Sequence, residues 1–568
     1  MTDDDLSSLS VYGILKRTAS LHPDAVSYRY FGTSVTYRSL LSMVDSFSSG
    51  LRSLGVEKGD RVVICLPTCP QAVIAFYAVN RIGAISAMVH PLSSKNEIEY
   101  YMKEVRCKVV LTLDMFVDSF PRIGSVDGFG TIIATSPVDC LPTFKRILAP
   151  LANKDAKHPK AEGPGIVRWK DVMKKAADFE TPDIDADHPC AILFTGGTTG
   201  INKGALISSR SFNSCSQGMY NLVGLDANIV MLAEMPVFHG YGLCVCIHLP
   251  VMVGCEIVLL PQFTLDSICT TVVKERITVI AGVPSLYEKM FDGSHFVGED
   301  LSRINGIFCG GDSIPPDTKA RMDRFLEEHG CKARIRVGYG CTECLAATAI
   351  SEEGENRPFC LGKPIDGHRC CIMSLDGTHE MPTGEEGEIC ISGPSLMLGY
   401  LNHEDETAKV LKEHDDGLTW LHTGDIGCME EDGSLIFRSR IKRMIVTSGY
   451  NVYPVQIETV INSHPAVKTS CVIGVPDPMR GSRVKAYVIL NEGHEADDAM
   501  REEIADFVKS RVSAFTRPRE YEYVDSLPTT KLGKTDYREL ERQSSEHGDR
   551  SATGQCNNLD TASHPIQY

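Results

Sequence analysis

The sequence predicts an α/β fold class: a large N-terminal domain of βαβ-rich layers and a small α+β C-terminal domain. Three observations predict it. From Tyr12 to Leu113, helix-period segments alternate with apolar runs of strand length, the rhythm of parallel βαβ units. At 568 residues the chain exceeds one ordinary domain and can bury a large core. Far downstream, Ala466 to Leu490 alternates as strands do, which marks a second region of different character.

Tyr12–Leu21 and Tyr37–Leu54 carry apolar residues at helical spacing. Arg61–Leu66 is an apolar strand entered through the Gly59-Asp60 turn. Helical and strand segments then alternate through Ile74–Val79, Ala84–Val89, Glu97–Val105 and Val109–Leu113. Between Pro137 and Pro182 the rhythm weakens around Lys154, Lys157, Lys160 and Gly163-Pro164-Gly165. That stretch reads as an irregular surface excursion.

The most distinctive stretch follows, Ala191 to Ser208, reading AILFTGGTTGINKGALIS. Four apolar residues end in Thr195-Gly196-Gly197-Thr198-Thr199-Gly200. Lys203-Gly204 and a second short strand, Ala205–Ile207, come next. Clustered amides, hydroxyls and one lysine are what a polyphosphate requires, and glycine lets the backbone approach it. Taken alone, the loop suits a surface turn equally well. It lacks the Walker pattern, since Asn202 precedes Lys203 and Gly204 follows, and it is not the dinucleotide fingerprint either.

Composition narrows the partners. Net charge is −17, with 43% hydrophobic and 23% charged residues, and the pI is about 5.5. Such a chain offers no extended surface to nucleic acid or anionic lipid, so positive charge for an anionic ligand must be concentrated locally. The start, MTDDDLSSLS, reads as no secretory leader, and no uncharged apolar run reaches the ~18 residues of a spanning helix. The longest candidate, Val237 to Pro261, is broken by His239, His248, Pro250 and Glu256. The 21 cysteines read as buried free thiols in a reducing cytosol. Cys341-Thr342-Glu343-Cys344 has no matching pair for zinc, so packing is the expected role of Cys341 and Cys344.

Further glycine-bearing phrases follow the loop in order. Met235 to Gly242 (MPVFHGYG) sets His239 between an aromatic and a glycine, and Phe308-Cys309-Gly310-Gly311-Asp312-Ser313 ends an apolar strand. In Gly338-Tyr339-Gly340-Cys341-Thr342-Glu343, a flat ring, a hydroxyl and a carboxylate suit a base, a phosphate and Mg2+. Trp420 to Asp425 (WLHTGD) ends in a carboxylate that could accept two hydroxyls at once. Ser434 to Arg443, Ser448 to Pro454 and Lys531-Leu532-Gly533-Lys534 complete the series.

Together these segments, over about residues 10–540, resemble the adenylate-forming superfamily, nearest to its fatty acyl-CoA synthetases. The resemblance implies a large domain over 1–440, a hinge at 441–443 centred on Lys442, a small mobile domain over 444–541 and a disordered tail over 542–568. It implies that Thr195, Gly196, Gly197, Thr198, Thr199, Gly200 and Lys203 hold the outer phosphates of ATP. Gly311, Asp312, Tyr339 and Gly340 would surround adenine, Thr342 the α-phosphate and Glu343 the Mg2+. Gly384 to Tyr400 would form a strand pair, Asp425 and Arg440 would take the ribose, and Lys534 would bridge substrate carboxylate and phosphate. His239, Tyr241, Gly310, Cys341 and Leu345 would line the acyl pocket, with CoA passing Gly449 and Tyr450.

The implied activity is an ATP-dependent acid–CoA ligase working through an acyl-adenylate, its cargo a medium- or long-chain fatty acid and, second, an aryl acid. Four positions depart from the family pattern. Gly196 replaces a serine, Asn202 a proline, Val337 a glutamine and Arg443 an acidic residue. A stand-alone carrier-protein loader would share every nucleotide residue, and a non-catalytic ATP-binding regulator is the reading from another class. Oligomeric state is not written in the sequence.

Overall fold

Two large sheets divide most of the chain between them. The computed structural model describes residues 6–141, 162–174, 179–195, 202–224, 228–260, 264–448, 450–477, 479–529 and 535–544. The first sheet has a parallel core, in spatial order Val26–Tyr30, Glu256–Leu259, Val230–Ala233, Val279–Gly282, Gly306–Cys309 and Ile335–Tyr339. It continues as an antiparallel extension through Ala349–Ile350, Cys360–Pro364, Leu435–Arg440, Thr419–Met429, Gly387–Ser392 and Arg369–Met373. The second sheet runs Gly399–Tyr400, Gly204–Ser208, Pro189–Phe194, Ile85–Met88, Arg61–Cys65, Val109–Leu113, Thr131–Thr135 and Ile166–Arg168.

Parallel strands are buried on both faces, and residue alternation here shows which helices do the covering. Val62, Ile64 and Leu193 of one sheet meet Met231, Ile257 and Val279 of the other in one core, with the Pro70–Ile82 helix between them. Leu232, Ile280 and Ile307 point the opposite way, against Ile268, Tyr287 and Leu326. Val63, Val110 and Ile192 meet Ile98 and Met102. The Lys95–Val105 helix starts at a capping box in which Ser94 and Glu97 satisfy each other's backbone N–H groups.

A smaller C-terminal lobe follows. Val467–Asp477 and Gly481–Leu490, within the stretch expected to alternate as strands do, pair as a hairpin, with Glu520–Tyr523 parallel to its second strand. Ile457, Ile461, Ile504 and Val508, from helices Pro454–Asn462 and Asp498–Lys509, pack on Val472, Val484 and Val488.

Two expectations need correction. Part of the excursion between Pro137 and Pro182 is not irregular: Ile166–Arg168 adds an edge strand beside Thr131–Thr135, and Trp169 stacks on Phe47 at 4.1 Å. A three-residue strand is too short to show a period. Gly384 to Tyr400 is not a strand pair, because its halves join different sheets. Gly387–Ser392 lies in the antiparallel extension, whereas Gly399–Tyr400 pairs with Gly204–Ser208. Gly399 turns between them at φ 146°, and a Cβ there would crowd Thr407 at 3.1 Å.

Candidate active site

A cleft of about 1920 Å3 opens beyond the carboxyl ends of Pro189–Phe194, Gly306–Cys309 and Ile335–Tyr339, the usual place for a ligand in a parallel sheet. Thr195, Lys203, His239, Gly311 and Asp312 stand on its wall. So do Tyr339, Gly340, Cys341, Thr342 and Glu343, and across from them Asp425, Arg440 and Lys442. The C-terminal lobe contributes Val455, Glu458 and Arg538.

Asp425 is the best-held acid in this set. Its strand pairs with Leu435–Arg440, and the register places Asp425 directly opposite Arg440. Arg440 Nε lies 3.1 Å from one carboxylate oxygen, and the Tyr339 hydroxyl donates to the other at 2.9 Å. The preceding turn is fixed from behind: Gly424 N–H donates to Glu388 at 2.9 Å, and the Thr423 hydroxyl donates to the Ile389 carbonyl at 2.7 Å. The tight packing of Gly340 fixes the opposite wall, since a Cβ there would stand 1.6 Å from the Ala346 carbonyl.

Glu343 and Lys203 belong to one chain of contacts. The Tyr400 hydroxyl donates to Glu343 at 2.6 Å, and Lys203 Nζ sits 4.4 Å above the Tyr400 ring, a cation–π contact. Lys203 also reaches the Glu406 carboxylate at 2.8 Å. The Lys203 contact, with Lys409 beside it, holds the Glu406 carboxyl down to about 2. Burial and the neighbouring Glu343 push the Tyr400 hydroxyl well up, so it remains a donor. Glu343 thereby offers the cleft a hard carboxylate oxygen beside the Thr342 hydroxyl, a donor set that suits Mg2+.

The cleft also gathers positive charge. Burial lowers the Lys442 amine, and the nearby Arg538, Lys203 and Arg440 lower it further by repulsion. A chain of net charge −17 therefore turns several cations toward one cavity, where they focus attraction on an anion.

Some expected residues stand elsewhere. Tyr241, Gly310 and Leu345 lie behind the cleft wall rather than on it. The Tyr241 hydroxyl donates to the Gly282 and Phe308 carbonyls at 3.3 and 3.2 Å, which draws the ring into the sheet. Leu345 is fully buried and adopts φ 72°. Tyr450 is exposed and stacks on Phe515 at 4.5 Å, away from the cleft lining. Gly196, Gly197, Thr198, Thr199, Gly200, Gly449 and Lys534 lie outside the described residues. Thr529 and Thr535, on either side of Lys534, are on the cleft wall.

His239 accepts a hydrogen bond from the Tyr241 N–H at 3.1 Å through Nδ1. Cys341 and Cys344 are free thiols with sulfurs 3.5 Å apart. The Cys344 contact and burial push the Cys341 thiol well up, which keeps it protonated and unreactive.

Four side chains around the site gave no signal of their own in the sequence. Tyr400, Glu406 and Glu388 hold Glu343, Lys203 and the Asp425 turn, and their partners lie 57, 203 and 36 residues away. Glu234 is fully enclosed near Tyr241, Cys246 and Tyr287, and burial pushes its carboxyl up to about 8.

Known proteins resemble this chain in sequence and fold. The sequence model of the AMP-binding enzyme family matches residues 15–401, and that of the AMP-binding enzyme C-terminal domain matches 456–534. A long-chain-fatty-acid–CoA ligase from Bacillus subtilis is 32% identical over 551 residues, 95% of this chain and 96% of that protein. A feruloyl-CoA synthase from Amycolatopsis is 27% identical, covering 91% and 96%. The crystal structure of an anthranilate CoA ligase with anthranoyl-AMP superposes with a TM-score of 0.81 over 96% of this chain and 99% of its own, at 23% identity. With both family models in the expected order on a two-lobed α/β frame, the chain belongs to the AMP-binding enzyme family.

Proposed function

We propose that this acid–CoA ligase activates a medium- or long-chain fatty acid in two steps. In the first, the acid's carboxylate attacks the α-phosphorus of ATP and expels pyrophosphate. In the second, the thiol of CoA displaces AMP from the resulting anhydride. The observation that carries the reading is the gathering of Lys203, Arg440, Lys442 and Arg538 on a cleft that also presents Asp425 and Glu343. Attack of one anion on another is limited by charge and placement more than by proton transfer, so such a wall is the catalyst the reaction needs.

In this reading Lys203 leaves Glu406 for the outer phosphates, and Thr195 borders the same loop. Tyr339 offers its ring to adenine, and Asp425 accepts the ribose hydroxyls while Arg440 keeps it ionised. Glu343 and Thr342 would hold Mg2+, which neutralises phosphate charge when bound. Lys534 brings a further ammonium to the reacting carboxylate and withdraws before CoA attacks beside Gly449, with Lys442 at the hinge between 440 and 444. Removing a charge-stabilising group of this kind costs on the order of 10²–10³ in rate. Lys534→Ala is therefore expected to remove most adenylation while premade acyl-AMP still transfers to CoA. Equal loss of both half-reactions would overturn the role of Lys534.

A fatty cargo is supported by the Bacillus relative's specificity and by Val337 on the cleft wall. An aryl acid is the second reading. It is favoured by Tyr241, whose ring would touch a Cβ on Gly310 at 3.5 Å and so shortens the path into the sheet. The feruloyl and anthranilate enzymes act on acids of that shape. Acid-dependent pyrophosphate exchange across C6–C18 fatty acids, benzoate and cinnamate decides between them. Exchange only with the aryl acids would replace the first reading with the second.

A further inference from the structure

We infer that Glu388, Cys390 and His422 form a site for one thiophilic divalent cation, Zn2+ or Cd2+. The three residues stand on neighbouring strands, Gly387–Ser392 and Thr419–Met429, so backbone pairing sets their positions. One donor atom from each lies within 4.8 Å of the other two. His422 Nδ1 is 2.7 Å from a Glu388 oxygen and 3.5 Å from Cys390 Sγ. Around zinc, with Zn–N and Zn–O near 2.0–2.1 Å and Zn–S near 2.3 Å, tetrahedral donors stand roughly 3.3–3.6 Å apart. The sulfur–nitrogen spacing already meets that requirement. The nitrogen–oxygen spacing is a hydrogen bond and opens once its proton is replaced by the metal.

The surroundings supply the remaining requirements. His422 Nε2 lies 3.1 Å from His414 Nε2, so an imidazole that binds metal through Nδ1 can donate its other N–H to His414. Such outer partners fix the tautomer of a ligating histidine. The second Glu388 oxygen accepts from the Gly424 N–H at 2.9 Å, which fixes the orientation of the carboxylate toward the other two donors. Glu388 and His422 are on the cleft wall, which gives the ion an entrance and leaves the fourth position to water. Loading is balanced by one proton: the Cys390 thiol releases its hydrogen to solvent, while the His422 hydrogen moves from Nδ1 to Nε2. Because Glu388 also holds Gly424 N–H, the ion would brace the turn that carries Asp425.

The test uses the full-length, metal-free, reduced protein with Zn2+ in calorimetry and Cd2+ in ultraviolet absorption. Wild type is expected to take up one tight equivalent, release about one proton and show a sulfur-to-cadmium charge-transfer band. Cys390→Ser and His422→Gln should each weaken uptake by more than the ~10-fold seen for loss of an outer-shell partner. The double variant Cys341→Ser/Cys344→Ser should keep it, which separates this site from the other close pair of thiols. Melting curves confirm that each variant is folded, and His414→Gln, which supplies no donor atom to the ion, gives an independent weakening through its contact with His422. No stoichiometric uptake by wild type, uptake unchanged in Cys390→Ser and His422→Gln, or loss with the Cys341/Cys344 pair would each overturn the proposal.

Discussion

Replacing Glu234 with glutamine should change how stability depends on pH far more than it changes stability itself. Glu234 is 2% exposed, and neither carboxylate oxygen has a hydrogen-bond partner. Burial therefore raises its pKa from the ordinary 4.5 to about 8. The folded state keeps this proton over a range where the unfolded chain has already lost it. The stability it contributes is complete below pH 4.5 and is lost steadily as pH rises through 8. A shift of 3.5 units corresponds to about 5 kcal/mol over the whole window, or ~1.4 kcal/mol per pH unit inside it. Glutamine keeps the shape and has no proton to lose. Urea unfolding of both proteins at pH 5.5 and 7.5 should thus show the wild type losing roughly 3 kcal/mol relative to Glu234→Gln between those points. His248, fully buried between Tyr77 and Asn213 and held neutral with its pKa at about 3, produces a slope of opposite sign below pH 6.5. It is present in both proteins and cancels in the difference. A difference that stays flat with pH would refute the argument, because it would mean the carboxylate ionises in place with water or a cation beside it.

Other perturbations act on the cleft. Glu406→Gln removes the carboxylate that occupies Lys203, so KM for ATP should fall by up to about five-fold, the range of a surface ion pair, with kcat unchanged in initial-rate assays. Asp425→Asn leaves Tyr339 and Arg440 without their shared carboxylate, and kcat/KM for ATP should drop by roughly 10²-fold or more while the circular dichroism spectrum is retained. Glu343→Gln should raise the Mg2+ concentration needed for half-maximal pyrophosphate exchange, and an unchanged Mg2+ titration would remove Glu343 from the metal. Tyr241→Ala should open the path behind Gly310 and move the optimum toward longer chains, read from the acid panel; an unmoved optimum would place the acyl group elsewhere.

What could be read from the chain, and what could not, divides along the range of the contacts. The βαβ rhythm from Tyr12 to Leu113 rests on spacing within single elements, and helices and strands lie where it places them. Asp425 and Arg440 were visible as members of two ordered motifs, and they turn out to be cross-strand partners fifteen residues apart in one hairpin. Tyr241 and Leu345 were equally visible as residue types, but their facing was not. The π-helical turn Tyr241–His248 and the positive φ of Leu345 rotate both side chains into the core, and neither is a matter of hydrophobic period.

The same limit explains why the supporting residues were missed. Tyr400 meets Glu343 only because Gly399–Tyr400 crosses to the second sheet, and Glu406 meets Lys203 only because the helix that follows is carried with it. These contacts share a physical pattern: Lys203 is matched by Glu406, Arg440 by Asp425 and Arg443 by Glu458. Pairing these three with carboxylates lowers the repulsion among the cations that the cleft holds together. On the proposed reading the ligand would then be recognised by exchange, an incoming phosphate taking over the lysine that Glu406 releases, rather than by filling a cleft of bare charge.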